Sequence, residues 1–429
     1  MQKKITEEIS ISPEIREESI KIKNILDFKK EVENFLEKSV SEISELILAG
    51  AINLNASDIH IEPLEEKAKI RLRIDGILYD VLLFDKKIYT GLLSRTKLLS
   101  GIKLNITNRP QDGRFSVFLE EIPIEIRAST LPAEHGESIV LRILNPKSLI
   151  EIEELGLKKD LLKIIEREIK KPNGMVIVTG PTGCGKTTTL YAFLKKIQKP
   201  EIKIITIEDP IEYHLKGTSQ TQVKPRAGYD FASGLRSVMR HDPDVVLVGE
   251  IRDAETAKMA IQAALTGHLV LTTLHTNDAA GTVARLTSLE AKTSNIAPAL
   301  NTTIAQRLVR KVCKKCAKFE KITEEDFQKI KKILKGVPKE VFELKKDMKI
   351  PKAKGCPDCN LTGYKGRIGI FEAFLVDSGM EKFILKNPSI AALRDFARKK
   401  GMITLKQDGI IKVLEGITTI EEVERITGE

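Results

Sequence analysis

The segment GPTGCGKT at residues 180–187 constrains this 429-residue chain more than any other. It matches G-x-x-x-x-G-K-[ST] at each fixed position, follows the apolar run MVIVT and opens a helical pattern, which is the context a phosphate-binding loop needs. Gly180, Gly183 and Gly185 let the backbone turn so that amide N–H groups face phosphate oxygens. The helix beginning near Lys186 adds the positive end of its dipole. Pro181, Thr182, Cys184 and Thr188 complete the cradle, with Cys184 read as a small residue whose thiol opens the loop to oxidation. Lys186 is expected to reach the β- and γ-phosphates, and the Thr187 hydroxyl to hold Mg²⁺. ATP and Mg²⁺ are therefore the expected ligands.

The surroundings of the loop read as alternating buried strands and helices. KIITIED (203–209), VVLVGE (245–250) and LVLTTLH (269–275) are short apolar runs that each end in a polar residue, and AETAKMAIQAALTG (254–267) is a helix between the last two. Buried parallel strands have this grammar, and α/β sheets bind ligands at the carboxyl ends of such strands. The expectation is a RecA-like nucleotide-binding core over 158–310. Glu250 closes one strand, 64 residues beyond Lys186, where an acid can join the magnesium shell. Glu208 and Asp209 close another, where a carboxylate can polarise water for in-line attack. The alternative for either acid is a cap on the following helix. His268 and His275 bracket the third strand; each could donate to a phosphate or be an ordinary satisfied polar group.

Upstream the period changes. Residues 1–30 are polar and charge-dense and read as a loose tail or short helical tether. A helical pattern through Phe35, Leu36, Val40, Ile43 and Ile47 follows, then period-two alternation in DIHIEP and KIRLRIDGILYDVLL, with Asp75-Gly76 a hairpin signal. Residues 31–147 are thus an expected α+β domain with an antiparallel sheet, and 148–157 a linker. Residues 366–429 read as mostly helical. At this length more than one domain is expected. Hydrophobic residues at 41% and charged residues at 30% are those of a soluble globular protein, and no run approaches a bilayer span or a signal peptide's apolar core. The net charge of +10 admits nucleic acid or anionic lipid as partners. However, 70 basic residues are spread among 60 acidic ones, tryptophan is absent and aromatics are 5%, so base-stacking platforms are lacking and no direct nucleic-acid contact is expected.

Four of the five cysteines form two C-x-x-C knuckles, Cys313/Cys316 and Cys356/Cys359, separated by residues 317–355. In a reducing cytosol this spacing favours metal over disulfide, and four thiolates suit tetrahedral Zn²⁺. Residues 311–365 are the expected zinc subdomain, with KITEEDFQKIKKIL (321–334) as a helix inside the insert.

Taken together, ASDIHIEP (56–63), RLRIDG (71–76), RPQDGR (109–114), the loop GPTGCGKTTTLY, TIEDPIEY (206–213), RHDPDVVLVGEIRDAETA (240–257) and TGHLVLTTLHTN (266–277) resemble the type II/type IV secretion ATPase superfamily, in its order and from about residue 40 onward. The resemblance implies that Lys186 is the Walker A lysine, Glu250 the Walker B glutamate, Glu208 the catalytic glutamate and His275 the histidine of the His box. It implies further that Arg127 and Arg142 are the N-terminal-domain arginines that reach the phosphates across a domain interface. A PAS-like N-terminal domain, a homohexamer and a cytoplasmic motor that extracts pilins are also implied, with membrane association only through an inner-membrane platform protein. The tetracysteine module with TGYKGRIGIFE (362–372) resembles the secretion and pilus-extension branch rather than the retraction branch. Relatives often carry an extra N-terminal docking domain, and about thirty residues precede the shared region here.

Overall fold

The computed structural model describes residues 8–119, 123–146 and 149–428. They fall into two compact units: residues up to 148 with 313–316 and 354–365, and residues 149–312 with 317–353 and 366–429.

In the first unit the elements run β1 (Glu8–Ser10), α1 (Pro13–Ile20), α2 (Ile25–Phe35), α3 (Val40–Asn53), β2 (Asp58–Pro63), β3 (Lys67–Ile74), β4 (Ile77–Asp85), α4 (Lys86–Leu99), β5 (Gln111–Phe118), β6 (Pro123–Ala133) and β7 (Gly136–Leu144). The strands make one seven-stranded sheet in the order β1-β5-β6-β7-β2-β3-β4. All pairings are antiparallel except β1 with β5. On β3, Ala68, Ile70, Leu72 and Ile74 are buried while Arg71 and Arg73 sit on the other face, as period-two patterning requires. The β3–β4 turn has Asp75 at φ 49° and Gly76 at φ 83°, the two left-handed residues a two-residue hairpin needs. Phe28, Val32, Ile43, Leu46, Ile59 and Ile70 form the buried centre between helices and sheet.

Three sequence expectations are refined here. Of the two readings of the tail the described residues follow the helical one, with a short strand before it: Ile9, Ile11, Ile15 and Ile22 are buried, and Ser12 caps α1 with Pro13 in its first turn. The helical pattern through residues 35–47 is shared by two helices, because Ser39 and Glu42 form a reciprocal capping box that starts α3 afresh. The described part of the linker, 149–157, is a short 3₁₀ turn at Ile152–Leu155 whose Ile152 and Leu155 are buried in the second unit.

The second unit continues with α5 (Lys159–Glu168), β8 (Gly174–Thr179), α6 (Lys186–Ile197), β9 (Ile204–Glu208), β10 (Ser219–Gln222), α7 (Phe231–Val238), β11 (Val245–Val248), α8 (Ala254–Leu265), β12 (Leu269–Leu274), α9 (Gly281–Ser288), α10 (Thr293–Ala299) and β13 (Leu300–Val312). After it come β14 (Lys318–Lys321), α11 (Glu324–Ile333), β15 (Lys349–Lys352), β16 (Tyr364–Leu375), α12 (Ser378–Ile384), α13 (Ile390–Lys399), α14 (Leu405–Leu414) and α15 (Ile420–Thr427). Its sheet has the order β10-β9-β11-β12-β8-β13-β16 and is parallel from β10 to β13. Met175 and Ile177 enter the core on one face, Val176 and Val178 the core on the other. That two-sided burial is why the strands read as continuous apolar runs. The first part of the region expected to be helical, 366–375, is strand β16. Among the described residues no helix is long and apolar enough to cross a membrane.

In the first unit Lys97 Nζ lies 2.5 Å from Glu137 Oε2 and donates to the Ile106 carbonyl at 2.9 Å, with both side chains almost wholly buried. Lys97→Met leaves the Glu137 carboxylate buried without its cation, so urea unfolding of the full chain should show about 3–5 kcal/mol lost from the transition of this unit. A loss below about 1 kcal/mol would remove the pair from the structural framework.

Candidate active site

The parallel strands all end at one edge of the second unit's sheet. Thr179 is in register with Leu274 on one side and Ala305 on the other, and Val248 with Ile207 and Thr272. The next residues along each chain therefore gather there: Gly180, His275, Gln306, Gly249 and Glu208.

The phosphate loop is fixed from behind. Gly180 has φ 152°, and a Cβ there would lie 2.6 Å from both the Cys184 sulfur and the Gln306 carbonyl oxygen, so no side chain fits. Pro181, Thr182, Gly183 and Thr187 are exposed at the mouth, while Cys184 is buried beneath it. Burial pushes the Cys184 thiol up, which makes it a packing residue and argues against an oxidation-prone loop. Gln306, on β13, donates from Nε2 to the Cys184 carbonyl at 2.9 Å and accepts the Thr189 hydroxyl at 2.7 Å. Lys186 Nζ donates to the carbonyls of Gly180 (2.8 Å) and Pro181 (3.2 Å), and burial lowers its pKa. An ammonium held only by carbonyls next to exposed amides is set up to receive an anion.

Glu250 follows β11, with Oε1 2.5 Å from Arg252 Nη2 and Oε2 3.5 Å from His275 Nε2. Burial and then the Lys186 charge lower the His275 pKa, against the opposing pull of Glu250, so the neutral ring is favoured at neutral pH. Lys186, Glu250 and His275 thus sense one another and belong to one site. Thr179 Oγ1 donates to the Leu274 carbonyl at 3.0 Å and accepts the Thr276 N–H at 2.9 Å, tying the His275 segment to the strand that carries the loop. Arg307 donates to the Asn277 carbonyl at 2.8 Å and completes that tie. Glu208 is buried at the end of β9; its carboxylate accepts from Tyr191, Thr206 and Gln220, and burial raises its pKa.

His268 is not part of this group. It precedes β12 at the opposite edge of the sheet, where its Nδ1 lies 3.2 Å from the Ala263 carbonyl and its own carbonyl accepts the Gly174 N–H. Arg127 and Arg142 lie in the first unit, directly opposite one another on β6 and β7, with Arg114 next in the row on β5. Arg142 Nε is 2.9 Å from Asp58 Oδ1, and Arg127 Nε is 3.5 Å from Glu125 Oε1. Gln306 and Arg307 carried no sequence signal, because only the sheet brings β13 to the segments they hold, and Thr276 stood inside the quoted TGHLVLTTLHTN without a role. Arg252 stood inside a quoted motif without a role.

The four knuckle cysteines converge within the first unit. Their sulfurs all lie within 4.8 Å of one another, with Cys313–Cys356 at 3.9 Å, Cys316–Cys359 at 3.8 Å and Cys356–Cys359 at 3.7 Å. Those separations are far beyond a disulfide bond, yet match the ~3.8 Å edge of a tetrahedron with ~2.3 Å zinc–sulfur bonds. Burial works against ionisation of Cys359, but N–H donors from Cys356 and Gly363 bring it down to about 7, whereas burial pushes Cys316 up to about 12. The donor set and its spacing are compatible with zinc. Asn360, in the left-handed region just after the second knuckle, accepts the Ile25 N–H at 2.7 Å and so caps α2.

The family model described as "Type II/IV secretion system protein" matches residues 33–425. The chain belongs to that family. It is 41% identical over 393 residues to the type II secretion system ATPase E of Vibrio cholerae, covering 91% of this chain and 76% of the relative. It is 42% identical over 388 residues to the type IV pilus assembly ATPase PilB of Thermus thermophilus, covering 90% of this chain but only 43% of that longer relative. Among solved structures, the pilus retraction motor PilT with bound ADP superposes with a TM-score of 0.60 at 27% identity, covering 88% of this chain and 95% of PilT. With the phosphate loop intact, the chain is an ATPase of the secretion and pilus-assembly kind, and its relatives are components of such machines.

Gln306→Leu removes two buried hydrogen bonds behind the loop, each worth about 1 kcal/mol, so titration with a fluorescent ATP analogue should show affinity down about tenfold or more. Unchanged affinity would mean that the loop holds its shape without the tether.

Proposed function

We propose that the chain works as a homohexameric motor on the cytoplasmic side of the inner membrane, hydrolysing Mg-ATP to drive assembly of a type IV pilus or a type II secretion pseudopilus. It sits at the membrane peripherally, through a platform protein of that machine. The observation that carries this reading is the convergence of Lys186, Glu250 and His275 at the carboxyl edge of a parallel sheet, in a chain of this family. Lys186 and the amides of residues 182–188 bind the phosphates. Thr187 and Glu250 hold Mg²⁺, which neutralises phosphate charge when bound. Glu208 polarises the attacking water, and His275 donates a hydrogen bond to the departing phosphoryl group. Arg127 and Arg142 add cations against the developing charge, a reading supported by their side-by-side register. Cys313, Cys316, Cys356 and Cys359 hold a structural Zn²⁺. The tetracysteine module favours the extension branch.

Steady-state phosphate release tests the reading. The cytoplasmic part of a platform protein should raise turnover, and single-stranded DNA should leave it unchanged. Glu250→Gln should keep ATP binding while turnover falls about 100-fold or more. Stimulation by DNA alone would sink the assembly-motor reading in favour of a nucleic-acid motor. Metal analysis of the purified chain should give one zinc per chain, lost in Cys359→Ser together with stability of the first unit; a wild-type chain free of zinc would overturn that assignment.

A further inference from the structure

We infer that Tyr191 is a positioning residue for Glu208, holding one oxygen of its carboxylate from the helix that begins at Lys186. The inference rests on the proposed role of Glu208 in polarising the attacking water. Tyr191 is almost wholly buried, and its hydroxyl donates to Glu208 Oε2. The other oxygen is held differently: Oε1 accepts the Thr206 hydroxyl at 2.5 Å, from β9 itself, and Gln220 Nε2 at 3.2 Å, from β10. Gln220 in turn donates to the Tyr213 carbonyl at 2.9 Å and accepts the Leu215 N–H at 2.8 Å, and the Tyr213 ring meets Tyr191 edge-on with centroids 6.3 Å apart.

The two oxygens therefore answer to different elements. Oε1 is fixed within the edge of the sheet, whereas Oε2 is fixed by α6, whose first residue is the phosphate-binding lysine. The six residues from Lys186 to Tyr191 move rigidly together in one helix, so the orientation of the carboxylate is set by the position of the phosphate loop. The ionisable neighbours support a donor role for the phenol. Burial and the negative charge of Glu208 raise the Tyr191 pKa, so the hydroxyl keeps its proton. Around Glu208 itself, burial and the charge of Glu212 favour the protonated acid, while the three donors favour the carboxylate; Asp209 is next in the chain.

The test is turnover of the full chain with Mg-ATP against pH. Tyr191→Phe keeps the ring contact with Tyr213 and removes only the hydroxyl. A donor lost from a carboxylate raises its pKa, so the acid limb of kcat should move up by about one pH unit. Over the plateau kcat should fall about tenfold while KM for ATP stays within about twofold. Site-specific 3-fluorotyrosine at position 191, a stronger donor, should move the limb the other way. A folded Tyr191→Phe chain with unchanged kcat and limb overturns the inference. If that variant does not fold, the fluorotyrosine chain decides alone: a limb moved down supports Tyr191, an unmoved one overturns it. Glu208→Gln run alongside separates the two readings. If it binds ATP without turnover, a silent Tyr191→Phe counts against Tyr191 only; if it retains turnover, the role of Glu208 falls and the inference with it.

Discussion

Strand β8 is hydrogen-bonded on both sides, to β12 from Gly174 through Thr179 and to β13 from Met175 through Thr179. The phosphate loop leaves this doubly held strand and enters α6 with no slack between them, since Gly180 already touches Gln306 and Cys184. Everything that recognises phosphate is measured from that point. β12 delivers His275 and Thr276, β13 delivers Gln306 and Arg307, and each of these side chains bonds back to the loop or to a neighbouring strand end. A parallel sheet suits this task because all its carboxyl ends face one way, so one set of main-chain bonds registers groups that are far apart in sequence.

The charges at this edge are balanced internally. Glu250 is shared between Arg252 and His275, and Lys186 rests on carbonyl oxygens of its own loop. Nucleotide binding has to break into these contacts, and the same low-dielectric surroundings that make them strong make their replacement by phosphate strong as well. Arg252 is the exposed member of the set and has the most freedom to leave.

Much of the second unit was legible in the sequence because its physics is local. A strand buried on both faces must be apolar throughout, and the loop's glycines are demanded by its geometry, so MVIVT-GPTGCGKT announced both. The hairpin at Asp75-Gly76 was legible for the same reason. In the N-terminal segment the strand and the burial were missed because its charges mask a short apolar set. Ile9 sits in a three-residue strand, Ile11 just beyond it and Ile15 in the first turn of the next helix, too brief a pattern to stand out, although Ser12-Pro13 is a helix start. His268 and His275 looked alike in sequence, and only strand direction separates them, one at each end of β12. The tether through Gln306 and the hold of Tyr191 on Glu208 had no local signature, because nothing in the sequence pairs these residues until the sheet brings them together.

The cap on α2 has a consequence for how the chain is made. The N–H of Ile25 finds its acceptor in Asn360, 335 residues later. At ribosomal speeds of about 5–20 residues per second, that partner emerges roughly 20–70 s after the helix it caps. The cysteines of the first unit arrive as late, so its closing contacts form only after the intervening sheet has been synthesised. Throughout that interval the helix start has only its local contacts, Asn24 accepting the Asp27 N–H at 2.9 Å and Asp27 accepting the Lys23 N–H at 3.1 Å.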